Sequence, residues 1–339
     1  MILSICIPSY NRFEELNKLL YSIAQAKSRD FNVFIIDNGS KEDLNNIKIV
    51  DERFHLIKRS YSVPGATSIR TSLDFGDGKY RMLCLDKDFI FGEYLDQFVE
   101  KLKKHDVACG YCLLNSEEQK GGFTERKCLN GKSFYRGGHP SGYFLREDIL
   151  KKDMGHINAY DETSPFYNNA FIMDLLYAEG LCAGKEIIYY GKLVQPESAE
   201  KAKKKKSYTY SMKNNNLYFM PYGRKQQFDI YIKHIKLLNL QFDMYKKVLA
   251  NLFFKTFMGC TIGYRNVMRN QDVCMHHSIE CKEVTFYEMI QEAVLYSKEF
   301  RRNQNVKIGK IEKDILIISA WIRLVGIGII IRVKEGRKR

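Results

Sequence analysis

Three short apolar runs near the start of the chain each stop at residues that favour a turn or carry a carboxylate. The runs are residues 3–7, 33–36 and 82–85. Their length and apolar composition predict buried strands. Residues 13–26 lie between the first two runs and have apolar side chains at helical spacing, which predicts an amphipathic helix. Strands that alternate with helices form a mostly parallel sheet with helices on both faces, so we expect an α/β domain.

The residues that follow the three runs would lie along one edge of that sheet. They are Pro8, Ser9 and Tyr10 after the first run, Asp37, Asn38 and Gly39 after the second, and Asp86, Lys87 and Asp88 after the third. Open α/β sheets bind ligands at the carboxyl ends of their strands. Asp86 and Asp88 alone would indicate a solvated turn. Together with the two upstream strand ends they predict the third corner of a nucleotide pocket, where paired carboxylates suit a divalent cation that also holds phosphates.

Three segments of the sequence resemble family 2 glycosyltransferases, which have the GT-A fold. The segments are residues 4–12 (SICIPSYNR), 35–40 (IIDNGS) and 85–88 (LDKD). The resemblance covers residues 1–200 and implies a GT-A sheet followed by a variable extension. It also implies an inverting, divalent-metal-dependent transfer of a sugar from a nucleotide sugar, usually a UDP-sugar, to a saccharide acceptor.

The resemblance implies a role for each strand end. The residues that it assigns to the nucleotide sugar are Pro8, Ser9, Tyr10, Arg12, Asp37, Asn38, Gly39, Arg70, Asp86 and Lys87. Asp37 would contact the base or its ribose, and Arg70 stands where the family often has a basic residue near the nucleotide. Asp86 would contact the ribose or the metal, and Asp88 would bind Mn²⁺ or Mg²⁺ bridging the diphosphate.

The general base is a point at which the sequence departs from the family. Inverting transfer needs one base for the acceptor hydroxyl, and the family commonly carries it in a Glu-Asp pair shortly before a glycine. Counting back from Gly180 places Asn168 and Asn169 there, and an amide cannot act as a base. The remaining candidates, in order of preference, are Asp161, Glu162 and Asp174.

The metal site shows a second departure. The family often adds a histidine from late in the domain to the metal ligands. Gln195 lies near the corresponding place in this sequence, whereas His139 and His156 lie elsewhere. The sequence therefore predicts Asp88 and Asp86 as the metal ligands.

Basic residues are concentrated in the second part of the chain. Residues 201–339 contain 28 Lys and Arg against 11 Asp and Glu, a net charge of +17, whereas residues 1–200 contain 26 against 29, a net charge of −3. From residue 226 onward the apolar spacing is helical. We therefore expect a nucleotide-sugar-binding domain over residues 1–205. A mainly helical, basic region over residues 206–339 would serve the acceptor and an anionic membrane surface.

Residues 315–331 are the most hydrophobic stretch of the chain, and five basic residues follow within 332–339. A membrane span needs about 20 apolar residues, and Arg323 near the middle of this stretch is unfavourable in hydrocarbon. Two interpretations are favoured, an interfacial helix with Trp321 and a basic tail, or a buried core helix, and a membrane span is the third. The first implies a cytoplasmic enzyme at the inner face of the plasma membrane. Its acceptor would be a polyprenyl-diphosphate-linked saccharide of bacterial O-antigen or capsule synthesis.

Two alternatives belong to other functional classes. A basic nucleic-acid-binding protein would use the lysine run at 201–206 to bind phosphates. This alternative leaves the three strand-end motifs unexplained, so no nucleic acid is expected. A catalytically inactive scaffold that binds nucleotide sugars would explain Asn168 and Asn169. Association into a homo-oligomer is compatible with either the enzyme or the scaffold.

Overall fold

The computed structural model describes residues 1–41, 47–48, 51–114, 121–126, 131–151, 171–197, 217–277 and 279–336. These residues divide into two compact units. The first unit contains the described residues up to 197 apart from 131–132, and the second contains 131–132 and 217–336. The predicted domain boundary at residue 205 falls outside the described residues and stays a prediction.

An eight-stranded mixed sheet forms the centre of the first unit. In sheet order its strands are β3 (Phe54–Lys58), β2 (Phe31–Asp37), β1 (Leu3–Ser9), β4 (Tyr80–Leu83), β8 (Tyr143–Arg146), β6 (Cys109–Cys112), β9 (Glu186–Tyr190) and β7 (Gly122–Arg126). Strands β1 to β4 are parallel, as are β6 and β9, whereas β8 is antiparallel to both of its neighbours and β7 is antiparallel to β9. A separate ribbon pairs β5 (Phe89–Ile90) with β10 (Val194–Gln195) in antiparallel orientation.

Helices of the first unit flank this sheet, and the sequence predicts the apolar face of the first of them. They are α1 (Phe13–Ala24), α2 (Gly65–Ser72), α3 (Gly92–Leu102), α4 (Glu147–Lys151) and α5 (Ile172–Ala183). Every residue of β1 is buried, as expected for a strand covered on both faces. Helix α1 buries Phe13, Leu16, Leu19, Leu20 and Ile23, the face that its sequence predicts. The expected architecture of a GT-A domain, a mostly parallel mixed sheet with helices, is confirmed.

The second unit is helical. Its helices are α6 (Pro221–Leu237), α7 (Phe242–Met258), α8 (Tyr264–Met268), α9 (Gln271–His276), α10 (Phe286–Arg302) and α11 (Lys310–Gly336). Buried rings of α6, α7 and α10 form its core, with 4.1 Å between the ring centres of Phe253 and Phe300. Thr285 and Glu288 form a capping box at the start of α10. The predicted helical C-terminal extension is confirmed.

The hydrophobic stretch 315–331 lies within α11, and only one face of this helix is packed. Ala320 and Leu324 are buried, and the indole of Trp321 donates a hydrogen bond to Ser297 Oγ at 3.2 Å. Several isoleucines on the opposite side are exposed. The interpretation as a buried core helix therefore fails for the exposed face. The interfacial interpretation holds for that face but not for Trp321, which lies on the packed side. Within the part of the chain that the structure describes, no helix has the length and apolar character of a membrane span.

Candidate nucleotide-sugar site

The ends of β1, β2 and β4 meet at one edge of the sheet, as the sequence predicts. Strand β1 lies between β2 and β4. The amide of Asn38 donates to the carbonyl of Ser9 at 2.8 Å, and the hydroxyl of Ser9 donates to Asp86 Oδ2 at 3.0 Å. One residue of β1 thus joins the ends of the other two strands. The predicted corners of the pocket are therefore brought together around Ser9.

Asp86 is a buried carboxylate whose donors come from the end of β1. Its Oδ2 also accepts a hydrogen bond from the amide of Tyr10 at 3.3 Å, and the guanidinium of Arg12 lies 3.8 Å from its Oδ1. Burial raises the pKa of Asp86 to about 6, while the charge of Arg12 and the bond from Ser9 act in the opposite direction. Two predicted site residues, Ser9 and Arg12, therefore favour the ionised form of a third, Asp86.

The turn after β2 is shaped by its own side chains. Asp37 is fully buried, and its carboxylate accepts the amide of Ser40 at 3.1 Å. The side chain of Asn38 bonds both the carbonyl and the amide of Val63, at 2.9 and 3.1 Å. Gly39 has a φ of +77°, and a Cβ there would lie 2.9 Å from neighbouring backbone atoms. Asn38 and Gly39 therefore have structural reasons for their identity, whatever ligand they face.

The turn after β1 is tied to the turn after β2. Asn11 has a φ of +51°, its amide donates to Ser40 Oγ at 2.8 Å, and its Oδ1 accepts the amide of Lys41 at 2.9 Å. Asn11 belongs to the first motif, but the sequence assigned it no role. Its function in this structure is to hold the two turns together. Pro8 is buried in β1, whereas Tyr10 and Lys87 are partly exposed beside the pocket residues.

Helix α2 carries buried polar atoms that have no hydrogen-bond partner among the described residues. They are Thr67 Oγ1, Ser68 Oγ and Arg70 Nε. Arg70 also pairs with Asp74 at 2.6 Å, and its side chain is 8% exposed. Buried polar groups in native proteins are nearly always satisfied by protein, water or ligand. The polar atoms of α2 thus have hydrogen-bonding capacity for a ligand or water.

Asp88 is held by donors from residues that the sequence did not connect with it. Its Oδ2 lies 2.5 Å from His139 Nε2 and accepts the hydroxyl of Ser141, and its Oδ1 accepts the amide of Glu197 at 2.9 Å. Burial alone would raise the pKa of Asp88. The hydrogen bond and charge of His139, with the bonds from Ser141 and Glu197, outweigh burial and lower this pKa.

The loop that carries His139 is fixed against the end of β4. At its start the amide of Gly137 donates to the carboxylate of Asp174, at 2.9 and 3.1 Å, and at its end the amide of Gly142 donates to the carbonyl of Leu83 at 2.9 Å. Both glycines have positive φ, +66° and +89°. Asp174, the third candidate for the general base, is thus a buried anchor of this loop.

The other base candidates, Asp161 and Glu162, lie outside the described residues, as do His156, Asn168 and Asn169. Gln195 is exposed in β10. Sequence reasoning missed His139 and Ser141 because the chain separates them from Asp88 by 51 and 53 residues. The available signal was the loop composition, with glycines on both sides of His139, Pro140 and Ser141.

The donor set at Asp88 fits a divalent ion that phosphates would help to hold. No group of three or more His, Cys, Asp and Glu side chains is arranged to bind a metal within the described ranges. Mg²⁺, however, is usually bound by one or two carboxylates together with substrate phosphates and water, and imidazole is a ligand for transition metals. The carboxylate of Asp88 and the imidazole of His139 are therefore suited to a site that a diphosphate completes.

A comparison with protein families identifies the first part of the chain. Residues 4–161 match the family model of glycosyl transferase family 2. This stretch contains all three strand-end motifs and the loop of His139 and Ser141. This part of the chain has the sequence pattern of a family 2 glycosyltransferase domain. The resemblance found in the sequence is thereby confirmed.

Individual relatives of the family 2 domain are distant or cover it in part. An uncharacterized glycosyltransferase of Haemophilus influenzae is 38% identical over 80 residues, which are 24% of this chain and 23% of the relative. The chain thus matches about a quarter of that relative's length. Two solved structures are similar at lower identity, and no residue role is transferred from them.

The first of these structures is residues 1–349 of TarS from S. aureus in complex with UDP-GlcNAc. It is 12% identical with a TM-score of 0.49, over 89% of this chain and 92% of the other. The second is the mannosyltransferase PcManGT from Pyrobaculum calidifontis in complex with GDP-Man and Mn²⁺. It is 10% identical with a TM-score of 0.46, over 95% of this chain and 86% of the other.

Proposed function

We propose that the protein is a divalent-metal-dependent, inverting glycosyltransferase that uses a nucleotide-sugar donor. The observation that carries this proposal is the contact of three strand ends around Ser9, within a family 2 domain. Ligands of open α/β sheets bind at such carboxyl edges. The nucleotide sugars bound by TarS and PcManGT belong to the same class of donor. A UDP-sugar is the donor that we expect.

The donor's nucleotide would lie over the turns after β1 and β2. Asp37 would accept hydrogen bonds from the base or ribose, and Pro8, Ser9 and Tyr10 would form the floor beneath it. Asn38 and Gly39 would shape the turn, and Arg12, Arg70 and Lys87 would offset the negative charge of the phosphates. The buried unpaired polar atoms of α2 would offer the ligand further hydrogen bonds.

The end of β4 would serve the diphosphate. Asp88 and Asp86 are the proposed metal ligands, and His139 joins them because its Nε2 lies against Asp88 Oδ2. When bound, Mn²⁺ or Mg²⁺ would neutralise the charge that develops on the leaving nucleoside diphosphate. Ser141 and the amide of Glu197 would orient the carboxylate of Asp88.

Inversion at the anomeric carbon requires one residue to take the proton of the acceptor hydroxyl. We propose Asp161 for this base, with Glu162 as the second candidate. The carboxylate of Asp174 already accepts the amide of Gly137, which favours a positioning role for Asp174. Asp174 would hold the loop that presents His139 to Asp88.

The acceptor that we propose is a polyprenyl-diphosphate-linked saccharide in bacterial O-antigen or capsule synthesis. The net charge of +17 over residues 201–339 supports it, since a diphosphate lipid and an anionic membrane both attract a basic region. The enzyme would work in the cytoplasm, bound peripherally to the inner face of the plasma membrane. This acceptor explains why the basic excess lies outside the donor-binding domain.

A donor screen tests the proposed function. UDP-, GDP- and dTDP-sugars would be incubated with the full chain, with Mn²⁺ or with a chelator, and release of the nucleoside diphosphate measured. We expect turnover of one donor class only with the metal, and a loss on the order of 100-fold in Asp88→Asn because the charge on the leaving group is no longer offset. Asp106→Asn is the matched control, since Asp106 is an exposed carboxylate in the same unit.

The possible outcomes separate the proposals. Full metal-dependent turnover in Asp88→Asn would overturn the metal assignment, and absence of binding to every donor would overturn the function. Donor binding without transfer to any native membrane extract would favour the inactive scaffold. Loss of transfer in Asp161→Asn, with donor hydrolysis and folding retained, would support Asp161 as the base.

A further inference from the structure

The exposed face of α11 carries a continuous row of aliphatic side chains. We call this row the isoleucine stripe, and its members are Ile311, Ile315, Ile318, Ile322, Val325 and Ile329. Their exposed fractions lie between 47% and 76%. Spacings of four and three residues alternate along the row, which places all six on one side of the helix. At 1.5 Å per residue the stripe is about 27 Å long.

The opposite side of α11 is already used by the second unit. Ala320 and Leu324 are buried there, and Gly328 lets α11 approach the ring of Phe286 so closely that a Cβ would lie 2.5 Å from it. A helix that is apolar on all sides is normally covered on all sides. Exposed apolar surfaces of this kind mark interaction sites. Something outside the described part of the chain is therefore expected to cover the isoleucine stripe.

The charge at the end of the stripe indicates what covers it. Arg332 and Lys334 follow within the last turns of α11, and Arg337, Lys338 and Arg339 come next in the sequence, against one acidic residue, Glu335. Lys310 is exposed at the other end. Two acidic residues also stand there, Glu312 and Asp314, and both form ion pairs within the second unit, at 3.7 and 2.8 Å. An aliphatic face bounded by basic residues is complementary to an anionic lipid surface, which takes up both the apolar side chains and the positive charge.

A second copy of the chain fits the stripe less well. Helices in a coiled coil surround each apolar knob with neighbouring side chains and use charged flanking positions to select the partner. The flanking positions on one side of the stripe include Trp321 and Gly328, and both are engaged inside the second unit. On the other side stand Ser319 and Gly326, which carry no charge. The charged flanking residues, Glu312 and Asp314, already form ion pairs within the second unit. Neither flank therefore provides the surface that a partner helix needs.

We propose that the isoleucine stripe of α11 lies on an anionic membrane surface, with the helix parallel to the bilayer and the basic end at the headgroups. Trp321 takes no part in this contact, because it faces the second unit. The purpose of this membrane contact rests on the proposed function, because the contact would hold a transferase close to its lipid-linked acceptor. The contact itself does not depend on the donor site.

Flotation of the full chain with vesicles tests the proposal. One vesicle preparation is phosphatidylcholine with about one-third phosphatidylglycerol, and the other is phosphatidylcholine alone. Ile318→Asp with Ile322→Asp places two carboxylates in the stripe. The matched control is Leu237→Asp with Met275→Asp, which makes the same change at two exposed apolar positions of the second unit outside α11.

We expect wild type and control to float with the anionic vesicles, less with the neutral ones and less at high salt. The stripe variant should bind at least tenfold more weakly, about 1.4 kcal/mol. Equal flotation of all variants, or flotation of none, would overturn the proposal. So would a wild-type dimer in light scattering that becomes a monomer in the stripe variant, since a second copy would then cover the stripe. Donor binding, measured on the same samples, would report separately on the proposed function.

Discussion

Asp86 and Asp88 are two residues apart, yet their surroundings shift their pKa values in opposite directions. Asp86 is dominated by burial, which raises its pKa, whereas the bonds from His139, Ser141 and Glu197 lower the pKa of Asp88. Asp88 is thus stabilised as the anion that a metal ligand must be. Burial favours the protonated form of Asp86, and a bound cation would favour its ionised form.

The raised pKa of Asp86 predicts that its ionisation destabilises the metal-free protein. The pKa rises from 3.8 to about 6 on folding, so the folded state holds this proton more tightly than the unfolded state. The contribution of Asp86 to stability is then most favourable below about pH 4 and falls as the pH rises towards 6, by about 3 kcal/mol in total. In Asp86→Asn this loss should be absent. Comparing urea unfolding of wild type and variant, with a chelator, at several pH values isolates the contribution of Asp86.

A parallel pH dependence in the two proteins would contradict this prediction. Asp77→Asn is a suitable control for the substitution, because Asp77 is an exposed carboxylate of the same unit, where it accepts hydrogen bonds from Ser4 and Asn32. Asp86→Asn should also lose donor binding, if Asp86 contacts the ribose or the metal as proposed. Higher stability with lower activity would then mark Asp86 as a residue retained for its function.

At the scale of elements, local patterns predicted the strands of the first half of the sheet more completely than the pairing in the second half. Within residues 3–36 the apolar pattern predicts β1, α1 and β2 in turn, and β1 and β2 are neighbours in the sheet. The order in the sheet departs from the order in the chain first at β4, which pairs with β1. It departs again beyond residue 90, where β8 enters between β4 and β6 in antiparallel orientation. Such pairing depends on tertiary packing, which a single sequence does not display. His139 was missed for the same reason, since its loop is placed by β8.

Helices α1 and α3 pack so closely that a glycine is required between them. A Cβ on Gly92, the first residue of α3, would lie 1.8 Å from the carbonyl oxygen of Ser22 in α1. Gly92→Ala should therefore force the two helices apart and lower the free energy of unfolding by about 2 kcal/mol. Urea unfolding followed by circular dichroism would measure the change.

Gly65→Ala provides the matched control for this substitution. Gly65 is also the first residue of a helix, α2, and a Cβ there would meet no atom within 4 Å. Alanine should be neutral or slightly stabilising at that position, since it restricts the unfolded chain. If the two variants were equally stable, the close packing of α1 on α3 would be contradicted.

At the scale of the whole molecule, charge and chemistry are divided between two units. The strand-end motifs and their partners lie in the first unit, whereas most of the basic excess and the isoleucine stripe belong to the second part of the chain. The charge distribution of the sequence indicates a division of this kind, and its boundary stays a prediction. The sequence did not predict which face of α11 is exposed, because apolar residues occupy both faces of the helix and hydrophobic periodicity alone does not distinguish them.

This division predicts that donor and membrane protect different parts of the chain from hydrogen exchange. A nucleotide sugar at 100 times its Kd should stabilise the unit that binds it by about 2.7 kcal/mol, so exchange should slow at the ends of β1, β2 and β4. Anionic vesicles should instead slow exchange along α11, because the lipid surface excludes water from its exposed face. Hydrogen exchange read by mass spectrometry would be measured with each ligand alone and with both. Protection of α11 by the donor alone would show that the two activities are coupled, and protection of the strand ends by vesicles alone would place the membrane contact in the first unit instead.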